Sequence, residues 1–191
     1  MMCLKRWKVK DSKMADYNLF RQKYIAHIST FKETSLDSNN DIYLCQDESV
    51  ETINFDKIIE EKYPDSNKRP QSFDCIYLDK YSNNIYLIEF KNEKNPDKEN
   101  IRGKLLDGKK ELFILLDELK VPIIDYKFIF CLVYNKYHPK HERHKRGLFK
   151  SITFEFLNEY KESGFIDDIY TEDVNFFTKQ FKKKTLKELA C

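Results

Sequence analysis

The sequence predicts an α/β protein, a mixed central sheet flanked by helices, with extra helices towards the N- and C-terminal ends. Three observations predict it. Residues 73–91 read as two strands rich in aromatic and β-branched side chains around a polar turn. Residues 101–119 repeat apolar side chains at helical spacing, and residues 126–134 form a nearly continuous apolar run of the kind buried on both faces of a sheet. A helix between the second and third of these strands supplies the crossover that a parallel pair requires, while the hairpin is antiparallel.

Bulk properties set the frame. A chain of 191 residues with 41% hydrophobic side chains is read as one domain, 1–191, large enough for a sizeable core and neither disordered nor fibrous. A net charge of +2 neither demands nor excludes nucleic acid, because distribution decides that question. Cys3, Cys45, Cys75, Cys131 and Cys191 are odd in number and far apart, with no C-x-x-C pair. Neither a zinc module nor a disulfide framework is expected, and a reducing cytoplasm is the natural setting. No apolar signal segment opens the chain, and the run Phe128 to Tyr134 is far too short to span a bilayer, so no membrane role is expected. Met1, Met2 and Met14 are each candidate starts, and residues 1–13 read as a loose basic leader.

Taken in order, Asp16 to Phe31 reads as an amphipathic helix with Phe20, Tyr24, Ile28 and Phe31 on one face. Asp37 to Asp41 is a polar loop, and Ile42 to Cys45 a brief strand. Ser49 to Tyr63 reads as a second helix stopped by Pro64, with Glu48 and Glu51 near its apolar side. Pro64 to Pro70 is a turn-rich connection into the hairpin, and Asn92 to Asn100 a charged loop after it. Ile101 to Leu119 is the clearest helix, its stripe made by Ile101, Leu105, Leu112, Leu115, Leu116 and Leu119, weakened slightly by Gly103 and Gly108. Arg102, Lys104, Lys109 and Lys110 are read as lying mostly outside that stripe, facing either DNA or plain solvent. Pro122 ends the helix. Segments of about 15–33 and 149–190 are expected to be flanking helices, the latter including a basic amphipathic stretch, Asn175 to Leu189.

The hairpin carries the chemistry. With Lys80 to Asn83 as its loop, Asp79 pairs Asn84, Leu78 pairs Ile85 and Ile76 pairs Leu87. The same register sets Asp74 opposite Glu89, and the alternation of a strand turns Lys91 the same way. Opposed carboxylates repel unless something positive lies between them, and a divalent cation would supply it. The tripeptide Asp/Glu-X-Lys alone says little, since it recurs at Asp11, Glu60, Asp107, Glu118 and Asp125. Only the set at 74, 89 and 91 combines strand context, a shared face and an opposed acid. The plain alternative is a solvated hairpin end with Lys91 as a salt-bridge partner of Glu89.

Asp74 on one strand and Glu89-Phe90-Lys91 on the next resemble the active site of the PD-(D/E)XK nuclease superfamily, the restriction-endonuclease-like fold. The family's Pro before the first acid has no adjacent counterpart; the nearest is Pro70. The resemblance covers residues 50–135 or so and implies an αβββαβ core if a short first strand precedes residue 73. It implies a nuclease dependent on Mg²⁺, with Mn²⁺ able to substitute, hydrolysing phosphodiester bonds, chiefly of DNA. Asp74, Glu89 and the Phe90 carbonyl would be metal ligands, with Lys91 stabilising charge or orienting the nucleophile. It further implies an extra acid from a preceding helix, Glu48 or Glu51, and in many members a homodimer. Lys136 to Arg146, with Tyr137, His138, His141 and His144, is either a phosphate-contacting run or a solvated basic loop. Two rivals stand beside the nuclease: a non-catalytic nucleic-acid-binding or assembly protein retaining the fold, and an unrelated α/β interaction protein with ordinary surface acids.

Overall fold

The computed structural model describes residues 16–79, 81–92, 97–135 and 154–191. Their centre is a six-stranded mixed sheet. In chain order its strands are β1 (Ile28–Thr30), β4 (Glu51–Asn54), β5 (Cys75–Leu78), β6 (Asn84–Lys91), β7 (Lys127–Tyr134) and β8 (Asp168–Asp173), and they lie side by side in that same order. Two-residue strands β2 (Leu36–Asp37) and β3 (Ile42–Tyr43) make a separate small hairpin. The first four strands of the sheet are antiparallel neighbours; β7 and β8 are parallel to β6.

The helices are α1 (residues 16–23), α2 (Phe31–Thr34), α3 (Phe55–Lys62), α4 (Lys98–Glu118), α5 (Asn158–Glu162) and α6 (Val174–Thr185). Strand alternation divides the core in two. Ile76, Ile85, Leu87, Phe128, Phe130 and Leu132 point to the side covered by α1, α3 and α4. Cys75, Tyr77, Tyr86, Ile88, Phe90 and Cys131 point to the opposite side, where Phe31 of α2 and Phe177 and Phe181 of α6 cover them. The basic amphipathic C-terminal stretch is therefore a packing helix, with Lys182 paired to Glu188 at 2.8 Å on its outer side. Burying each such Leu, Ile or Phe contributes about 1.5–3 kcal/mol.

The hairpin register is the expected one: Leu78 faces Ile85 and Ile76 faces Leu87. The central helix begins three residues earlier than its apolar stripe, because the Asp97 side chain caps it by accepting the Glu99 N–H at 3.0 Å. Lys120, at φ 57°, turns the chain out of it before Pro122.

Three expected helices are shorter or interrupted. Residues 49–63 divide into β4 and α3, because β-branched Thr52 and Ile53 pair in the sheet and Asn54 caps the helix by accepting the Lys57 N–H. The segment 16–31 ends as helix at residue 23 and continues through a 3₁₀ turn, Ile25–His27, into edge strand β1. Within 149–190, residues 168–173 are strand rather than helix, the partner of β7. The expectation of no disulfide framework meets one exception: Cys45 and Cys191 form a disulfide, while Cys75 and Cys131 are buried in the sheet. Among the described residues no helix is long and apolar enough to cross a membrane. The leader at residues 1–13 and the basic run 136–146 lie outside the described residues.

Candidate metal centre

The β5–β6 ladder closes at Cys75 and Ile88, so the next step along both strands brings Asp74 to Glu89. Asp74 leaves the ladder in a bend, and its Oδ2 accepts the Phe90 N–H at 2.6 Å. Glu89 and Lys91 emerge on the α4 side of the sheet, as the period of two requires. The carboxylate of Glu89 is fully buried (0% exposed), and Lys91 Nζ lies 3.0 Å from its Oε1. Lys91 also donates to Asn100 Oδ1 in the first turn of α4, at 3.1 Å. The three residues singled out in the sequence are thus brought together.

Two further residues join them. Lys104 of α4 reaches down between the carboxylates: its Nζ is 2.8 Å from Glu89 Oε1, 3.0 Å from Glu89 Oε2 and 3.5 Å from Asp74 Oδ1. Asp56, in the first turn of α3, accepts a hydrogen bond from the Ser72 hydroxyl and interacts electrostatically with Lys104, Glu89 and Asp74. Neither acid proposed for the extra position is in the site. Glu48 pairs with Lys32, and Glu51 is held by Arg21 at 2.7 Å and 2.8 Å.

The charges perturb one another strongly. Burial, reinforced by Asp74, pushes the Glu89 carboxyl up to about 7 against the pull of Lys104 and Lys91. Burial likewise raises Asp74 to about 6, with Lys104 opposing and Asp56 adding to the rise. Asp56 is raised by burial too, with Lys104 and the Ser72 hydroxyl acting against it. For Lys104, burial alone would lower the pKa, but Glu89, Asp74 and Asp56 outweigh it and the ammonium is held well above its ordinary value. Removing one partner from so buried a set costs about 3–5 kcal/mol, since it strands an uncompensated charge.

Asp74, Glu89, Lys91 and Lys104 line a polar cleft of about 310 Å³, which Asp56 does not reach. One wall is the β2–β3 hairpin, with Asp37, Asn39 and Asn40 at its turn; the other side is Lys104 of α4. The hairpin is tied to the sheet. Asp37 accepts from Asn92 Nδ2 at 2.9 Å, and Asn92 accepts from Asn135 Nδ2 at 3.0 Å. Burial works against ionisation of Asp37, yet hydrogen bonds from Asn40 and Asn92 hold its pKa low.

The donor set suits a small hard cation. Among the described residues Glu89 Oε1 is a buried oxygen without a hydrogen-bond partner, and the Lys104 and Lys91 ammonium groups lie 2.8 Å and 3.0 Å from it. Mg²⁺ ordinarily takes one or two carboxylates and completes its octahedron with water and substrate oxygens. Asp74 and Glu89 supply that number, and Phe90 lines the same cleft. Among the described residues no group of three or more Asp, Glu, His or Cys side chains is arranged to close on one ion. Comparison with protein-family models, with curated proteins and with solved structures finds no match for this chain.

Proposed function

We propose that this chain is a metal-dependent nuclease of the PD-(D/E)XK kind, hydrolysing phosphodiester bonds and acting chiefly on DNA. The observation that carries the reading is the convergence of Asp74, Glu89 and Lys91 on the floor of one polar cleft. The strand order supports it. Strands β4, β5 and β6 are antiparallel neighbours and α4 leads on to β7 parallel to β6, the sheet order an αβββαβ core asks for, with α3 inserted between β4 and β5. In a restriction-endonuclease-like frame, β1 and β8 are additions at the two edges.

Asp74 and Glu89, with the Phe90 carbonyl, would hold Mg²⁺ or Mn²⁺. The bound ion would lower the pKa of a water and neutralise phosphate oxygens. The chain's own groups have clear tasks. The Phe90 N–H fixes one Asp74 oxygen at 2.6 Å and so orients the carboxylate. Asn100 holds Lys91 at 3.1 Å, which keeps an ammonium at the cleft floor where negative charge develops on a phosphate. Asp56, held by the Ser72 hydroxyl, adds a further negative charge that acts on Lys104. A cytoplasmic setting goes with a DNA substrate; the Cys45–Cys191 bond is the observation that argues against a fully reducing one.

The test is a cleavage assay on plasmid, linear duplex, branched and single-stranded DNA and on RNA, with Mg²⁺, Mn²⁺ or EDTA. Asp74→Ala and Lys91→Ala proteins are purified in parallel. Cleavage that requires metal and disappears in both variants is the expected result. Salt-sensitive DNA binding without turnover would instead identify a non-catalytic binding protein on the same fold.

A further inference from the structure

The feature that the proposed chemistry leaves unused is Lys104. It is not part of the hairpin motif, and it comes from a different element, yet its ammonium makes the closest contact to Glu89 Oε1 and also reaches Asp74. A cation placed within 2.8 Å of one carboxylate and 3.5 Å of the other stands where a metal shared by those two groups would stand. Resting on the metal-centre reading above, we infer that Lys104 is a resident counter-ion that a divalent cation must displace.

Geometry and charge both lead there. Glu89 is fully buried and Asp74 is largely so, and each, once ionised, needs a positive neighbour in the metal-free protein. Lys91 is engaged with Glu89 and Asn100 at the strand end and acts on Asp74 less strongly than Lys104 does. Lys104 sits two turns into α4, and its flexible four-carbon stem can swing from the carboxylates without moving the helix. Asp56 offers the ammonium a second anion within the same electrostatic neighbourhood. Two positions for one side chain, the carboxylate pair without metal and Asp56 with it, make Lys104 a positioning residue that sets how readily the centre loads. An acid without an ammonium in the way would bind metal more tightly; the resident lysine exchanges some of that affinity for a stable, closed metal-free state.

The experiment titrates Mn²⁺ alone into wild-type, Lys104→Gln and Lys104→Arg proteins, reading free Mn²⁺ by electron paramagnetic resonance. If the lysine occupies the carboxylates for nine-tenths of the time, its removal raises affinity about tenfold. Lys104→Gln is expected to bind at least about tenfold more tightly, and Lys104→Arg, which keeps the cation, no more tightly than wild type. A second measurement needs no variant. Wild-type protein is acetylated with limiting acetic anhydride, with and without Mn²⁺, and modification of Lys104 is read by mass spectrometry of peptides. Release from the carboxylates is expected to increase labelling of Lys104 when Mn²⁺ is present. Equal or weaker Mn²⁺ binding by Lys104→Gln, with wild type binding normally, overturns the inference and leaves the metal centre standing. Unchanged Lys104 labelling at saturating Mn²⁺ overturns it as well. No Mn²⁺ binding by any of the three proteins takes down both the inference and the metal-centre reading.

Discussion

Burial holds a proton on Glu89 up to about pH 7 and on Asp74 up to about pH 6, far above the values of 4.5 and 3.8 that such groups show in the open. The folded state therefore binds more protons than the unfolded chain between those limits. By linkage, these two groups make the metal-free protein less stable as pH rises from about 4 to about 7, and cost nothing below that window. The proposed metal binding would need the same protons removed. Mn²⁺ affinity is thus expected to be greatest above about pH 7 and to fall steeply towards pH 5, together with the Mn²⁺-induced rise in melting temperature. Titrations at several pH values check this; an affinity flat across the range would show that neither carboxylate is a ligand. The hairpin residues of this centre were legible in the sequence because a strand period of two and a short turn leave little freedom in register. Lys104 was misplaced for a definite reason. It lies three residues after Ile101 and one before Leu105, on the inward face of α4, and a lysine there breaks an apolar stripe without announcing what it points at. Asp56 was hidden by the misjudged start of its helix.

Among the elements, α4 carries the plainest case of a local cost with a tertiary cause. Gly108 is a poor helix residue, yet a methyl group added there would lie 2.7 Å from the ring of Phe73. Phe73 is fully buried, stacked on Phe55 at 4.5 Å, and immediately precedes Asp74. The close approach of helix and ring therefore sets where the first acid of the centre begins. Gly108→Ala gains about 1 kcal/mol of helix propensity but loses about 1–3 kcal/mol to overpacking against two stacked rings. The expected outcome is a net loss of stability in urea unfolding, contrary to what helix propensity alone would give. Sequence reasoning registered the glycine as a weakness, since the ring that requires it is 35 residues away. The same distance problem explains β4. Glu51 to Asn54 has the β-branched residues of a strand, but at four residues it is too short to stand out beside a following helix.

At the scale of the whole molecule, the sheet is legible in its middle and illegible at its margins. Strands β5, β6 and β7 are largely apolar and paired on both sides, whereas β4 has four residues, β1 three, and β8 begins and ends with aspartate. Edge strands that carry charge resist pairing with other chains, and by the same token they look like loops in a sequence. The Cys45–Cys191 bond was illegible too, because a pair 146 residues apart leaves no local pattern. A loop of that length restricts the unfolded chain by about 5 kcal/mol in the chain-entropy treatment. Reduction, or Cys45→Ser, is expected to lower the melting temperature markedly, and an unchanged melt would show that the bond adds nothing to stability. Nearby contacts favour the same closure, since the Ala190 N–H donates to Asp47 at 2.9 Å. Under mechanical load the consequence is larger than any free energy. Pulled from a handle beyond Cys191, the oxidised chain transmits force along its backbone straight to residue 45, and the backbone of every strand from β4 to β8 lies inside a closed loop that cannot be drawn out. Only reduction would release that stored length, roughly 500 Å at about 3.5 Å per residue.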